Sequence, residues 1–200
     1  MPLGTDTVPK VIRTPLARLL TAAAVTLSLS LHSPAPAIAL DLRHVPLVDQ
    51  RGAPFTLADL AGRPVIVTFV STRCHDACPI ANAEFSRLSD AFRRQRLHAT
   101  LLTITLDPRF DTPFVMARSA RQYDAQAPRW RFVSGTERNV RTMMRAFGVV
   151  ATPDRHGIPE VHSSFVYVLD GRGRLARSLL LSSNLPDDVA ALFHGKHPLT

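Results

Sequence analysis

The two cysteines of the chain, Cys74 and Cys78, are separated by three residues and followed by Pro79. A structural disulfide is the ordinary use of such a pair in an exported chain. Closing a loop of about five residues stabilises a fold by only about 2 kcal/mol, which is little for a domain of this length. We therefore predict that the sulfurs carry chemistry, as a redox pair or as metal ligands.

The spacing of the cysteines predicts that both sulfurs lie on one face of the first turn of a helix, with Cα atoms about 6 Å apart. A helix N-terminus lowers the pKa of a thiol and favours the thiolate. Disulfide exchange and metal ligation both need that form, so we predict a reversible disulfide between Cys74 and Cys78. Two thiolates also suit Cu(I), a soft metal, whereas they leave the four-ligand coordination of zinc incomplete.

A third metal ligand has to come from another part of the chain. The candidate histidines are His44, His75, His98, His156, His162, His194 and His197. His162 stands out because it directly precedes a predicted strand, where a loop can return to the end of the sheet. His75 is either a further ligand or an exposed residue at the helix start, and we favour exposure because His75 points away from a site between i and i+4 residues.

The segments around the cysteines alternate between strands and helices. Val65–Val70 is an unbroken run of β-branched and aromatic residues, which predicts a strand buried on both faces and places the cysteines between that strand and a helix over 80–96. Further strands are predicted at 47–49, 54–56, 100–106, 131–133, 164–170 and 175–181, and further helices at 113–123, 136–147 and 186–193. This order predicts an α/β, thioredoxin-like fold, with a central, mostly parallel sheet, antiparallel hairpins and flanking helices. Ligands of such sheets bind at the carboxyl ends of strands.

Asp107 and Asp111 have two interpretations. They either orient the metal ligands and attract copper, or they serve a turn and the start of a helix at Thr112-Pro113, which we favour for Asp111. Trp130 and the pair Met143 and Met144 are predicted to be core residues, although methionine also binds Cu(I).

Residues 1–39 have the pattern of a targeting segment. A basic stretch with Lys10 and Arg18 precedes the apolar run Leu19–Leu31, and Ala37–Ala39 is an A-x-A cleavage site. We predict a signal peptide over 1–39 and one periplasmic domain over 40–200. An uncleaved membrane anchor is the alternative, because the stretch from residue 15 to residue 31 approaches the roughly 17 residues needed to span a bilayer.

The chain is basic, with a formal net charge of +8. Its arginines are dispersed, with one cluster at Arg93, Arg94 and Arg96, so we expect no nucleic-acid binding. A solvated basic surface instead favours acidic partners or peripheral contact with anionic lipid.

Several motifs occur together in one order along the chain: 61–65, Cys74–Pro79, Leu106–Pro113, 132–135, Val161–Ser164 and 167–170. In this combination the sequence resembles the Sco/SenC family over roughly residues 47–193. The resemblance implies a thioredoxin fold and one copper ion, Cu(I) or Cu(II), bound by Cys74, Cys78 and His162. The chain departs from the family at His75, where members commonly have proline, and at Val70-Ser71, where they have an aromatic or glycine-rich approach.

The resemblance also implies a role in maturation of the dinuclear copper site of cytochrome c oxidase, by copper delivery or by reduction of its thiols. The expected partners are the copper-site subunit of that oxidase and other periplasmic thiol or copper carriers. The alternative is a periplasmic thiol-disulfide oxidoreductase without stable copper, in which Cys74 and Cys78 are the catalytic residues; a redox sensor or interaction module is a third possibility. The three-residue spacing and His162 favour metal binding, since disulfide exchange needs no remote imidazole.

Overall fold

The computed structural model describes residues 42–161 and 165–195. The predicted targeting segment 1–39 lies outside these residues, as do His162 and His197. The strands are β1 (Leu47–Asp49), β2 (Pro54–Phe55), β3 (Val65–Val70), β4 (Thr100–Thr105), β5 (Trp130–Ser134), β6 (Ala151–Pro153), β7 (Pro159–Val161), β8 (Phe165–Leu169) and β9 (Leu175–Leu180). The helices are α1 (Ala77–Gln95), α2 (Pro113–Gln122), α3 (Glu137–Ala146) and α4 (Leu185–His194), and short 3-10 helices occupy Leu42–His44 and Leu57–Leu60.

Seven strands form one sheet in the order β2-β1-β5-β4-β3-β8-β9. The central strands β3, β4 and β5 are parallel, which is the arrangement that the alternating strand and helix pattern predicts. β1 joins β5 and β8 joins β3 in the antiparallel direction. The thioredoxin-like α/β fold is therefore confirmed, with antiparallel pairing that extends further across the sheet than the sequence indicates.

The central strands are buried on both faces because each face supports its own core. Along β3, Val65, Val67 and Phe69 pack into a core with α3, whereas Ile66 packs into a core with α1, α2 and α4. Trp130 belongs to the second core, where its indole N–H donates to Thr103 Oγ1 at 3.0 Å.

The core predictions for Trp130, Met143 and Met144 are confirmed. Trp130 and Met143 are fully buried, and the half-buried Met144 packs against the first core. The sequence did not predict the small two-stranded sheet of β6 and β7. Pro153 and Pro159 pair with each other in that sheet, and proline in a short segment argues against a strand.

The helices of the described residues have amphipathic or mixed surfaces. Within residues 42–161 and 165–195, none of them has the length and apolar content required to cross a membrane.

Candidate functional site

The loop between β3 and α1 carries Cys74, and Cys78 follows it in the chain. Its first turn closes where the Cys74 N–H donates to the Ser71 carbonyl oxygen at 3.1 Å. α1 begins only at Ala77, so Cys78 lies in its first turn and Cys74 precedes the helix. The predicted placement of both cysteines on one helical face is therefore wrong, because the turn after β3 occupies the residues that would start the helix.

The two thiols nevertheless meet. Both cysteines are free, and the half-buried Cys74 packs against a small cluster formed by Val70, Cys78 and Ala81. The Cys74 thiol lies close enough to Cys78 to contribute to a raised pKa of the Cys78 thiol. The Ser71 N–H also donates to Cys78 Sγ at 3.3 Å. The loop thus places one half-exposed and one buried sulfur side by side at the carboxyl end of β3.

Cys78 is not the activated thiol that its position in the first helical turn predicts. Burial, and to a lesser degree the neighbouring Cys74 thiol and the charge of Asp111, raise the pKa of Cys78 to about 12. The hydrogen bond from Ser71 acts in the opposite direction but is smaller than the effect of burial. The predicted lowering of the thiol pKa is wrong for Cys78, because loss of hydration outweighs the helix N-terminus.

Asp111 is completely buried and ties the cysteine loop to the end of β4. Its carboxylate accepts hydrogen bonds from Thr105 Oγ1 at 2.6 Å, from the Thr72 N–H at 3.2 Å and from Thr72 Oγ1. Burial raises the pKa of Asp111. The side chain that caps α2 is Thr112, whose Oγ1 accepts from the Val115 N–H. The favoured interpretation of Asp111 as a helix-start residue is therefore wrong.

Asp107 holds the next residue of the same loop. It accepts hydrogen bonds from Arg73 Nε at 3.0 Å and from Arg73 Nη2, which also donates to the Gly157 carbonyl oxygen at 3.3 Å. The Arg73 guanidinium lies over the Phe110 ring, 5.0 Å from its centroid. The two carboxylates thus bind the two residues that directly precede Cys74, which supports an orienting role for both.

Sequence reasoning missed three residues of this network, namely Thr72, Arg73 and Thr105. Their partners lie between 6 and 39 positions away along the chain. The one available signal was the pair of aspartates itself, which needed partners of this kind if it was to orient the cysteine loop.

The histidines of the described residues lie apart from the thiols or at the surface. His75 is exposed, as predicted. His98 precedes β4, at the opposite end of the parallel strands, and His194 ends α4. Within residues 42–161 and 165–195, no three His, Cys, Asp or Glu side chains group as a metal site requires. The set Cys74, Cys78 and His162 stays a prediction, since His162 lies outside the described residues.

The register of the sheet shows at which edge β8 begins. β8 pairs with β3 in the antiparallel direction, with Val67 opposite Tyr167. The start of β8 therefore lies at the edge where β3 ends and the cysteine loop begins. His162 precedes Phe165, the first residue of β8, by three positions in the sequence.

Comparison with known proteins relates the chain to one family. The SCO1/SenC family model matches residues 43–193. An SCO2-like protein of Rickettsia felis is 25% identical over 154 residues, which cover 74% of this chain and 73% of that protein. The structure of Bradyrhizobium japonicum ScoI with copper bound is similar at 25% identity and a TM-score of 0.63, over 72% of this chain and 94% of that one. BsSco, a member of the Sco family of cytochrome c oxidase assembly proteins in which a disulfide switch was identified, is similar at 19% identity and a TM-score of 0.65, over 73% and 87%.

Proposed function

This chain belongs to the SCO1/SenC family, and on that premise we propose that it binds copper as a cargo that it carries to another protein. The observation that carries the proposal is the pair of free, touching thiols of Cys74 and Cys78 at the carboxyl end of β3. Soft sulfur donors suit Cu(I), and the half-exposed Cys74 leaves the pair open to solvent. The related ScoI protein has been solved with copper bound.

We propose His162 as the third ligand. Three residues of extended chain reach about 10 Å, so residue 162 can lie no further than that from the start of β8. That start shares an edge with the cysteine loop, which supports a site formed by Cys74, Cys78 and His162.

The recipient that best fits this family is the copper-site subunit of cytochrome c oxidase, since BsSco belongs to a family of assembly proteins for that oxidase. The targeting pattern of residues 1–39 supports a periplasmic location. Other periplasmic thiol or copper carriers would supply the copper and the electrons.

Thiol-disulfide exchange is the second candidate function, and the contact between the two thiols favours it. A disulfide forms between cysteines whose Cβ atoms lie about 4 Å apart. The disulfide switch of BsSco is chemistry of this type.

Metal titration of the purified, reduced protein tests the copper proposal, with Cu(I) added in the presence of reductant and Cu(II) added after the reductant has been removed. We expect one copper ion per chain, and loss of binding in Cys74→Ser and in Cys78→Ser. His162→Ala should lose Cu(II), which prefers nitrogen and oxygen donors, and should retain weaker Cu(I) binding and an intact thiol redox couple. His98→Ala, at the opposite end of the strands, is the matched control. Unaltered binding of both copper states in His162→Ala would show that the third ligand is another residue, and His75→Ala would then be tested.

Cells that lack this protein provide a test of the proposed recipient, cytochrome c oxidase. We expect reduced cytochrome c oxidase activity and a reduced spectral signature of its dinuclear copper site. The wild-type chain should restore both, and Cys74→Ser should restore neither. Full oxidase activity without the chain, at limiting copper, would remove the oxidase from the proposal.

A further inference from the structure

A groove of about 430 Å³ opens beside the cysteine loop. One wall is the outer face of α2, including Phe114 and Arg118. Thr72, Arg73 and His75 of the cysteine loop line the opposite side, and Phe110 lies between the two. The groove therefore begins at residues that adjoin Cys74 in the sequence.

The groove presents two aromatic side chains to solvent. Phe114 is 77% exposed and Phe110 is 47% exposed, although both are large apolar residues. The Arg73 guanidinium stacks on the Phe110 ring, and Asp107 in turn fixes Arg73. Exposed aromatic residues on a prepositioned surface are typical of binding sites, because they bury large apolar areas when a partner covers them.

The charge of the groove has one sign. Arg73, Arg118 and His75 line it, and the described residues of its lining include no aspartate or glutamate. Arg73 already pairs with Asp107. Arg118, in contrast, forms no ion pair with any residue in 42–161 or 165–195. The groove thus holds, next to exposed aromatic rings, a guanidinium that has no ion-pair partner in the part of the chain that the structure describes.

We propose that this groove is the docking site for an acidic segment of the protein that exchanges copper with the chain. A carboxylate of that segment pairs with Arg118, and a neighbouring apolar side chain packs against Phe114 and Phe110. This inference rests on the proposed function, since Arg73 and His75, the two sequence neighbours of the half-exposed Cys74, line the groove. Charge complementarity selects the acidic partner, and the aromatic pair selects an apolar side chain within the acidic sequence.

A second basic groove, at the opposite end of the parallel strands, offers a comparison. Arg93, Arg96 and Arg129 line it together with Asp124. Its aromatic residue, Phe92, is buried, and Arg93 pairs with Asp90. That groove therefore has positive charge without exposed aromatic rings, which makes Arg96 a matched control for Arg118.

Binding of labelled peptides to the purified chain tests the docking site. The probe is a short peptide of glutamates around a central leucine, and the comparison peptides replace the leucine by serine or the glutamates by lysines. Fluorescence anisotropy should show the strongest binding for the glutamate and leucine peptide. Arg118→Glu should weaken that binding about tenfold or more, which corresponds to about 1.4 kcal/mol, and Phe114→Ala should weaken it by a similar factor. Both side chains are exposed, so both variants should fold and bind copper as the wild type does.

The control decides between a specific groove and general attraction to a basic protein. We expect Arg96→Glu to bind the peptide as the wild type does. Equal weakening in Arg96→Glu and Arg118→Glu would overturn the proposal, as would equal binding of the serine peptide. Loss of a dimer in Phe114→Ala, measured by analytical ultracentrifugation, would also overturn it, because a second copy would then be the occupant.

A binding experiment with the soluble copper-site domain of cytochrome c oxidase distinguishes this inference from the proposed function. If that domain binds the wild type and Arg118→Glu equally well, the groove is not its docking site while the copper function stands. If the wild type binds no copper but the peptide results hold, the groove stands and the proposed function fails.

Discussion

The loops that follow β3 and β4 lie at the same edge of the sheet but have different roles. The loop after β3 carries Cys74 and leads to Cys78 in the first turn of α1. Its own contacts include the turn at Ser71 and the hydrogen bond from the Ser71 N–H to Cys78 Sγ. The loop after β4 carries no thiol, but its aspartates bind the side chains of Thr72 and Arg73. The loop after β3 is thus held in place by hydrogen bonds from its side chains to the loop after β4.

These different roles explain why the buried carboxylate of Asp111 lies close to the thiols of Cys74 and Cys78. The charge of Asp111 opposes ionisation of Cys78, so it does not activate the thiol. Its hydrogen bonds instead provide acceptors for the backbone N–H and the hydroxyl group of the half-buried Thr72. The contribution of Asp111 is therefore the shape of the loop rather than its reactivity.

The largest expected effect concerns the thiols themselves. Because the pKa of Cys78 is raised from 9.0 to about 12, we expect its thiolate fraction at pH 8 to be about a thousandfold lower than that of an ordinary thiol. Iodoacetamide should alkylate Cys74 first, and mass spectrometry of digested samples will assign the sites. Equal rates for the two cysteines at pH 8 would contradict the burial of Cys78.

The same pKa has a consequence for stability. As the pH rises, the unfolded chain loses the Cys78 proton before the folded chain does, because the folded-state pKa is the higher one. The free energy of unfolding should therefore fall between about pH 9 and about pH 12. Cys78→Ser should lack this contribution to the alkaline decline, which urea titrations at several pH values will measure.

Removal of the carboxylate that joins the two loops should have the next largest effect. Asp111→Ala leaves the hydroxyls of Thr72 and Thr105 without an acceptor, so we expect a loss of about 2 kcal/mol in the free energy of unfolding and weaker copper binding. Asp111→Asn keeps the size and one oxygen and should lose less. Fluorescence of the buried Trp130 reports the unfolding. A wild-type unfolding curve for Asp111→Ala would show that the loops are held by other contacts.

The ion pair between Arg73 and Asp107 should contribute less, because the Arg73 side chain is 29% exposed and that of Asp107 is 10% exposed. A double-mutant cycle with Arg73→Ala and Asp107→Ala should give a coupling free energy of about 1 kcal/mol. Copper affinity should fall in both single variants, since either change releases the residue before Cys74. A coupling of zero would remove Asp107 from the set of orienting residues.

The smallest effect is expected at the surface pair of Arg109 and Glu137. Arg109 belongs to the same loop as Asp107, yet its Nε pairs with Glu137 Oε1 at the exposed side of the molecule. Arg109→Ala should leave both the melting temperature and copper binding unchanged, because solvent screens such pairs. A drop as large as that of Arg73→Ala would mean that any arginine in this region stabilises the loops.

Much of the fold could be predicted from periodicity. The run Val65–Val70 is a central strand, and the predicted helix over 136–147 differs by one residue at each end from α3. The hairpin of β6 and β7 was missed because its strands are short and contain Pro153 and Pro159, which read as loop residues.

The site was predictable in its composition and not in its geometry. The spacing of Cys74 and Cys78 indicated a functional pair, and the pair does meet. The burial of Cys78 depends on its packing against Val70 and Ala81, which the local sequence does not show. The partner of Asp111 lies 39 positions away at Thr72, so helix-capping rules pointed to the wrong role.

The unequal depth of the two sulfurs also sets an order of events for exchange with another protein. An incoming disulfide reaches the half-exposed Cys74 thiol, whereas Cys78 is 6% exposed and lies behind it. A mixed disulfide between proteins would therefore form through Cys74. Cys78, which packs against Cys74, would be the residue that attacks the Cys74 sulfur of that mixed disulfide. A Cys74–Cys78 disulfide forms, and the partner sulfur leaves and takes up the proton that Cys78 loses.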